Sequence, residues 1–402
     1  MPLLIRWAIG IAGAFVACLL IGWLAVGKDW RALLSDPPTN TQVLFWSQSQ
    51  RDAGFRMLDR IPLVSKKNTI AAGKEKPLVE GEPLLIDVDV DAYMAANRHA
   101  AIIVLQNGKV RLEEYGLGFT RKKRWTSFSV GKSLTSTLVG AAIEDGYIKS
   151  VDEPIVAYIP ALAGSSYDGV TIEQVLTMTS GVRWIEDYED PSSDVALFNR
   201  HKPEDGLDQV VSYMRTLPRA HPPGEVWNYS TGETNLIGIL VGNAVGKPIA
   251  TYLSEKIWKP YGMGADATWL LGTDGRELSG CCIQAATRDM ARFGQFVLEG
   301  GVINGVPVLP PDWIETATRT HADIGEPGRG YGYQWWTYES GAFAAVGIFG
   351  QGIFVDPTRN LVVAVNSNWT SARGRKTGEF ADREAFYNSV QAAIDREEAL
   401  VK

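Results

Sequence analysis

Strand-forming sequence occurs in two widely separated stretches of this chain, and that separation constrains its fold more than any other feature. The first stretch is Ala100–Gln106 and Val110–Tyr115, joined by Asn107-Gly108, a two-residue turn that favours a tight hairpin. Leu84–Val90 just before it also reads as a strand. The second stretch is Tyr331–Tyr338, Ala342–Ile348, Gln351–Val355 and Leu361–Asn366. The intervening sequence has helical signals instead. Trp125–Asp145 is helix-periodic and stops at Gly146, and Thr171-Ile172-Glu173-Gln174 opens a short helix as a capping box. Asn235–Val245, Ile249–Trp258 and Thr287–Leu298 follow, the last with Met290, Phe293 and Val297 on one face. Arg383–Lys402 closes the chain as an amphipathic helix. Short strands need partners, so one sheet must be assembled from both ends of the chain, with a helical insert at about 150–290. The expected class is α+β, an α/β sandwich in which an antiparallel sheet is flanked by N- and C-terminal helices and carries an inserted all-helical domain. A cleft between the two lobes is the natural place for a site.

Composition removes several alternatives. Of the 402 residues, 45% are hydrophobic and 21% charged, as in an ordinary globular protein. The net charge is −7, so there is no basic surface for nucleic acid. Four His occur, none in a His-x-x-x-His or His-Glu-x-x-His spacing, which argues against a metal hydrolase. The three Cys are Cys18 and the adjacent Cys281-Cys282. They make no disulfide framework, and the adjacent pair reads as small packed side chains. Walker and Rossmann fingerprints are missing, so no nucleotide cofactor is expected. The missing Gly-x-Ser-x-Gly elbow removes the α/β-hydrolase alternative.

Residues 1–27 read as a leader. After one positive side chain in Met1–Arg6, Trp7–Gly27 runs without a charge, enough for about 30 Å of helix. Trp7, Trp23 and Trp30 sit near the two expected interfaces. An uncleaved transmembrane signal anchor fits best. Cleavage after Ala25-Val26-Gly27 and lipidation at Cys18 are the alternatives. The layout favours an anchor in the bacterial inner membrane with the remainder in the periplasm, or secretion there after cleavage. Residues 28–84 read as a polar connector and 85–402 as the main domain.

Three segments carry chemistry. Ser129 and Lys132 lie three apart at the start of a predicted helix, which puts both on one face. A Ser hydroxyl needs a base to become a nucleophile, and a Lys amine of lowered pKa is one. A capping Ser followed by a solvated Lys is the plain alternative. Leu134, Leu138 and Ile143 would bury one side of that helix and place Lys132 beside the core. Tyr229, in Trp227-Asn228-Tyr229-Ser230-Thr231, is either a tyrosinate base beside the Lys or a core Tyr at a loop-to-helix junction. Ala345-Val346-Gly347-Ile348-Phe349-Gly350-Gln351 is either a strand edge donating N–H groups to an oxyanion or a core strand with a Gly bulge.

Ser-x-x-Lys, then Tyr-Ser-Thr, then a Gly-containing strand, in this order, resembles the serine β-lactamase and penicillin-binding-protein superfamily, nearest its class C-like branch. Thr177-Met178-Thr179-Ser180-Gly181-Val182, Glu186-Asp187-Tyr188, Thr287–Gly294 and Tyr331-Gly332-Tyr333-Gln334-Trp335-Trp336 are similar to runs in 6-aminohexanoate-oligomer hydrolases and family VIII-type esterases. The resemblance implies an acyl-enzyme on Ser129, with Lys132 and Tyr229 sharing general-base and general-acid work. It implies an oxyanion hole from the backbone N–H groups of Ser129 and Ile348. Tyr188, Trp184 and Gly347 are its substrate contacts, on a small-molecule amide or ester, with no metal or cofactor. Trp125, Trp227, Trp335 and Trp336 also fall in or beside these runs, so an aromatic-walled cleft is expected.

The third motif departs from the β-lactamase pattern. Ala345-Val346-Gly347 stands where a Lys or His normally begins it, so the cation that would hold a β-lactam or peptide carboxylate is missing from that strand. This disfavours the alternative of a β-lactamase or peptidoglycan D,D-peptidase. Lys376-Thr377-Gly378 comes too late in the strand order and reads as a polar loop. A non-catalytic envelope binding protein, the alternative of another class, is expected to have lost the nucleophile or base.

Overall fold

A computed structural model describes residues 3–40, 42–61 and 66–401. Met1, Pro2 and Lys402, which belong to the expected leader and closing helix, lie outside the described residues. The two strand-rich stretches meet in a nine-stranded sheet. In spatial order its strands are Ala322–Asp323, Arg329–Tyr331, Trp336–Tyr338, Phe343–Gly347, Gln351–Asp356, Leu361–Ser367, His99–Gln106, Lys109–Tyr115 and Val79–Glu80. All neighbours are antiparallel except the last pair, Val79–Glu80 beside Lys109–Tyr115. The two ends of the chain join where Leu361–Ser367 pairs with His99–Gln106, Val363 opposite Val104. The hairpin turn takes positive φ at both Asn107 (52°) and Gly108 (71°), matching the twist of the strands it joins.

Alternate residues of the central strands serve opposite layers. Ile103, Leu105, Ile353 and Val362 pack with Met290, Phe293 and Val297 of the helix Thr287–Leu298. Ile102, Val104, Phe354 and Val363 pack with Phe386, Tyr387, Val390 and Ile394 of the closing helix, Glu379–Val401. A Cβ on Gly294 would stand 2.5 Å from Val362, so glycine is what lets the first of these helices lie close on the sheet.

Several elements differ from the sequence reading. Leu84–Val90 is not a strand. Asp89 accepts from the Ala92 amide at 3.0 Å and caps a helix, Val90–Ala96. Trp125–Thr126 is a strand, and the helix after it begins only at Val130 and runs to Glu144. Tyr331–Tyr338 is interrupted, with Gln334 at φ 63° between two short strands. The insert holds the helices Ile172–Leu176, Gln209–Met214, Thr231–Val245 and Ile249–Leu253. It also holds Ala267–Leu270 and Ile283–Ala285, which join Lys67–Ile70 and Trp125–Thr126 in a second, four-stranded sheet.

The N-terminal region departs furthest. Residues 28–61 contain the helices Lys28–Ser35 and Gln48–Gly54 and pack on the main domain. Leu33, Trp46, Ala53, Met57 and Leu58 form a small core with Leu270. Trp30 packs against that core. Before it, the helix Leu3–Ala25 exposes Trp7, Ile11, Phe15, Leu20 and Leu24. Among the described residues no single helix is long and apolar enough to cross a membrane. Ile9–Ala25 and Lys28–Ser35 meet that measure only as a pair, bent by 114°.

Candidate active site

Ser129 sits at a strained turn. The strand Trp125–Thr126 ends at Ser127, whose amide donates to the Ile283 carbonyl at 2.8 Å and whose hydroxyl accepts from the Ile283 amide at 3.0 Å. Phe128 then adopts φ 42°, a left-handed conformation that costs a non-glycine residue about 1–2 kcal/mol. Ser129 follows as the N-cap of Val130–Glu144. Its hydroxyl therefore stands at the positive end of a helix dipole, and no backbone carbonyl among the described residues accepts from its amide.

Lys132 is one turn on and fully buried. Its ammonium donates to Thr231 Oγ1 at 2.9 Å and to the Gly280 carbonyl at 2.8 Å, both neutral acceptors. Burial lowers its pKa to about 8, with the Glu186 carboxylate pulling the other way. Thr231 passes the contact on. Its hydroxyl donates to Glu186 Oε1, and its amide to Glu186 Oε2 at 3.0 Å. Glu186 also accepts from the Tyr188 hydroxyl at 2.7 Å and from the Trp184 indole. A half-buried carboxylate is thus fully partnered and linked to Lys132 through one hydroxyl.

Tyr229 completes the group. Its hydroxyl faces Ser129, and its pKa is pushed far up, first by burial and then by Glu186, with Ser129 opposing. Lys132 Nζ lies 5.2 Å from the centre of its ring. The loop that carries it is held by the Thr177–Val182 run. The Asn228 amide donates to the Met178 carbonyl at 2.9 Å and the Gly224 amide to the Thr179 carbonyl at 2.7 Å. Ser230 then caps the helix Thr231–Val245.

Two cavities meet at Ser129. One, of about 340 Å³, is walled by Tyr188, Trp227, Tyr229, Trp336, Gly347 and Ile348 together with a group of arginines. The other, of about 440 Å³, is walled mainly by apolar groups including Val195, Phe198, Leu278 and the N-terminal Val43–Phe45. A Cβ on Gly347 would meet the Ser127 carbonyl at 2.7 Å and the Ser129 amide at 3.1 Å. Only glycine lets this strand lie against the turn, and that brings Ile348 beside Ser129.

The structure thus brings Ser129, Lys132, Tyr229, Tyr188, Gly347 and Ile348 together. Trp184 lines neither cavity. Its indole lies behind the wall, against Phe198 and Tyr213, and orients Glu186. Trp125 and Trp335 are buried elsewhere, so the aromatic wall consists of Trp227, Trp336 and Trp369. Cys281 and Cys282 are bonded to each other in the wall of the apolar cavity. They are not separate packed thiols, and their link staples no distant segments. Sequence reasoning missed Glu186, Thr231 and the arginines. Glu186 and Thr231 lie inside runs already singled out, and carboxylate and hydroxyl partners for a buried Lys were the signal to look for.

Residues 86–386 match the family model described as Beta-lactamase. The chain belongs to the beta-lactamase family. This hydrolase is 30% identical over 325 residues to the 6-aminohexanoate-dimer hydrolase of Paenarthrobacter ureafaciens, covering 75% of this chain and 82% of that one. It is 26% identical over 186 residues to esterase EstB of Burkholderia gladioli, covering 43% and 46%. Among solved structures, a protein assigned as a 6-aminohexanoate-dimer hydrolase from Bacillus anthracis superposes with a TM-score of 0.74 at 21% identity, over 86% of this chain and 94% of that one. A family VIII carboxylesterase superposes at 0.56 and 17%, over 77% and 99%. These superpositions establish a mixed α/β, β-lactamase/transpeptidase-like fold.

Proposed function

We propose that this family member is a serine hydrolase that cleaves amides or esters of small acyl groups through an acyl-enzyme on Ser129. The observation that carries this reading is the state of Lys132. A buried ammonium with only neutral acceptors and a pKa lowered to about 8 is an amine ready to take a proton near neutral pH. Ser129 Oγ attacks the carbonyl carbon and its proton passes to Lys132. The amides of Ser129 and Ile348 receive the oxyanion. Tyr229, kept as a phenol by burial, gives its proton to the leaving nitrogen or oxygen as that bond breaks, and the Lys132 ammonium restores it. Water then attacks the ester on Ser129 by the reverse route and releases the acid. Tyr188, on the wall of both cavities, is the contact to the scissile group.

The test is labelling by a fluorophosphonate and turnover of a 4-nitrophenyl ester, with Ser129→Ala as control. Labelling of the wild type alone is expected. Equal labelling of both, or none, refutes the reading, and none would favour a non-catalytic binding protein. Capture of a labelled penicillin would instead favour a β-lactamase or D,D-peptidase.

We further infer that the exposed apolar helix Leu3–Ala25 holds the enzyme at the bacterial inner membrane with its active site in the periplasm, as the leader's layout suggests. Membrane fractionation of the full chain beside a variant lacking residues 1–27 tests this. Equal recovery of both in the soluble fraction refutes it.

A further inference from the structure

We propose that the bond between Cys281 and Cys282 is a redox switch on Lys132. Intact, it holds the Gly280 carbonyl in place as an acceptor of the Lys132 ammonium, and a dithiol that opens it turns the hydrolase down reversibly. This rests on the hydrolase reading for the activity that is switched.

The Cys pair takes no part in the reaction, yet it adjoins the residue that holds the base. Gly280, just before it, accepts from Lys132 Nζ at 2.8 Å, and Thr231 Oγ1 is the other acceptor at 2.9 Å. A Cβ on Gly280 would stand 2.8 Å from Thr231 Cγ2 and 3.1 Å from the Thr231 carbonyl. Glycine thus lets this stretch of chain lie against the first turn of the helix Thr231–Val245. The turn at 278–282 has few bonds of its own. The Cys281 amide donates to the Leu278 carbonyl at 3.0 Å, and the Gly280 amide reaches Asn235 Oδ1 only at 3.4 Å. Its flanks are fixed by contrast. The Ser279 carbonyl accepts from Thr135 Oγ1 at 2.8 Å, the Cys282 carbonyl accepts from the Leu270 amide at 3.1 Å, and Ile283 pairs with Ser127.

Opening the bond disturbs this turn. Two thiols cannot stand closer than van der Waals contact, so the side chains separate once the bond breaks. Cys281 has little room on one side, because its carbonyl is held by the Trp269 indole at 3.0 Å and would lie 3.3 Å from a Cβ on Gly131. Cys282 packs on the other side against the core of Leu33, Trp46 and Leu270. Cys282 also has φ 74°, a left-handed conformation that a residue with a Cβ avoids and that the bonded ring helps to hold. With the flanks fixed, the change falls on Gly280, whose backbone is the most permissive. Lys132 then loses one of its two acceptors. The ionisable groups that face it, Glu186 through Thr231 and Tyr229 at 5.2 Å from its ring centre, do not depend on the Cys pair.

The chemistry needs an external dithiol. Both Cys residues are partly exposed in the wall of the open cavity that reaches Ser129, so such a reagent has access. Its thiolate attacks one sulfur, and the other leaves as a thiolate and takes a proton. The second thiol of the reagent then displaces the first sulfur. Two electrons and two protons pass to the Cys pair, and the reagent leaves as its cyclic disulfide. Oxidised glutathione reverses the step and leaves as two thiols.

The test is the rate of fluorophosphonate inactivation of the full chain between pH 5 and 10. It is measured on protein purified in air, after dithiothreitol removed under nitrogen, and after reoxidation with oxidised glutathione. Free thiols are counted by iodoacetamide and mass spectrometry. One is expected in air, Cys18, and all three Cys after reduction. Reduction should lower the plateau rate by about tenfold or more, as a small misplacement of a catalytic group does. The rise should come at lower pH, because an acceptor that favours the ammonium is gone. Reoxidation should restore both. The double variant Cys281→Ser, Cys282→Ser should keep the reduced rate in all three conditions. Three free thiols in air, a reduced rate within about twofold of the oxidised one, or a double variant that still responds to dithiothreitol overturns the switch. If the double variant does not fold, the wild-type rates in the two thiol states decide.

Hydrogen exchange reads the turn without chemistry, and the amides of residues 280–283 should exchange faster in the reduced protein. Faster exchange with no labelling in any state would sink the hydrolase reading and keep the redox coupling of this turn. Labelling at one rate in both states, with unchanged exchange, would sink the switch and keep the hydrolase reading.

Discussion

Replacing Glu186 with Gln changes the proton affinity of Lys132 while leaving Ser129, Lys132 and Tyr229 in place. The wild-type value sets the scale. Between an ordinary 10.5 and about 8 lies on the order of 3 kcal/mol. At pH 7 about one Lys132 in eleven is then a neutral amine, against about one in three thousand for an ordinary Lys. Part of the Glu186 effect opposes this gain, because a carboxylate favours the ammonium. Lys132 reaches Glu186 through Thr231 by two hydrogen bonds in series, a separation of about 5 Å. At an effective dielectric of about 20, that is about 3 kcal/mol. Removing the charge should therefore lower the pKa of Lys132 by up to about two units.

The assay is the pH dependence of inactivation by a fluorophosphonate from pH 5 to 10, where background ester hydrolysis does not interfere. For the wild type, the rate should rise with pH through an apparent pKa near 8. In Glu186→Gln the rise should come at lower pH, between about 6 and 7. The plateau is expected to fall as well. The Gln amide nitrogen cannot accept from the Thr231 amide or the Trp184 indole, both of which donate to Glu186 Oε2. The position of the rise, and not its height, is therefore the measurement. A rise that stays within about 0.3 of the wild-type pH, or moves upward, refutes the assignment of Lys132 as the proton acceptor coupled to Glu186.

Three further outcomes follow from the same geometry. Gly347→Ala places a methyl group against the Ser127 carbonyl and the Ser129 amide, at 2.7 and 3.1 Å. Because one oxyanion donor is worth about 10²–10³ in kcat, a loss of that order with an unchanged circular-dichroism spectrum is expected. Glu233 is fully buried, its carboxyl held up at about 8 by desolvation despite hydrogen bonds from Ser180 and Tyr167. A carboxyl that keeps its proton longer in the folded state loses stability as pH rises from 4.5 to about 8 and levels off above. That contribution is at most about 4–5 kcal/mol, and Glu233→Gln should flatten the decline in urea midpoints over that window. Arg51→Leu strands the Asn368 side chain and the Trp46 carbonyl, which accept from it at 3.0 and 2.9 Å. A loss of about 2–4 kcal/mol in urea unfolding is expected, and a loss under about 0.5 kcal/mol would show that the carbonyls find water instead.

What the sequence reveals of the site depends on how far apart its parts lie. Ser129 and Lys132 are legible because one helical turn alone puts them on a common face. Tyr229 and Gly347 are legible only through the order of motifs, since nothing local says that a loop and a strand converge on that turn. Trp184 shows the cost of reading proximity in sequence as contact with substrate. It adjoins the motif yet faces inward, because an indole and a carboxylate two residues apart satisfy each other once buried. The arginines escaped notice because only the fold gathers Arg329, Arg373 and Arg383 around one cavity. Leu84–Val90 was misread for a local reason: its apolar alternation ends in an aspartate whose side chain satisfies a helix N-terminus.

The polar segment before the domain shows a different limit. Its composition is that of a connector, yet its few large side chains do structural work. Trp46 and Met57 bury a small core against Leu270. Arg51 spreads over the ring of Phe349, 4.5 Å from its centre, next to the oxyanion candidate Ile348. The same guanidinium reaches Asn368 at 3.0 Å and the Thr370 carbonyl at 3.4 Å, at the start of the loop that carries Arg373 and Arg375. Val43–Phe45 meanwhile walls the apolar cavity. One buried arginine thus ties together the Trp46 backbone, next to the apolar cavity's outer wall, the ring of Phe349 and the start of the arginine loop. A few buried contacts, and not average polarity, thus decide whether such a stretch of chain is structure or tether.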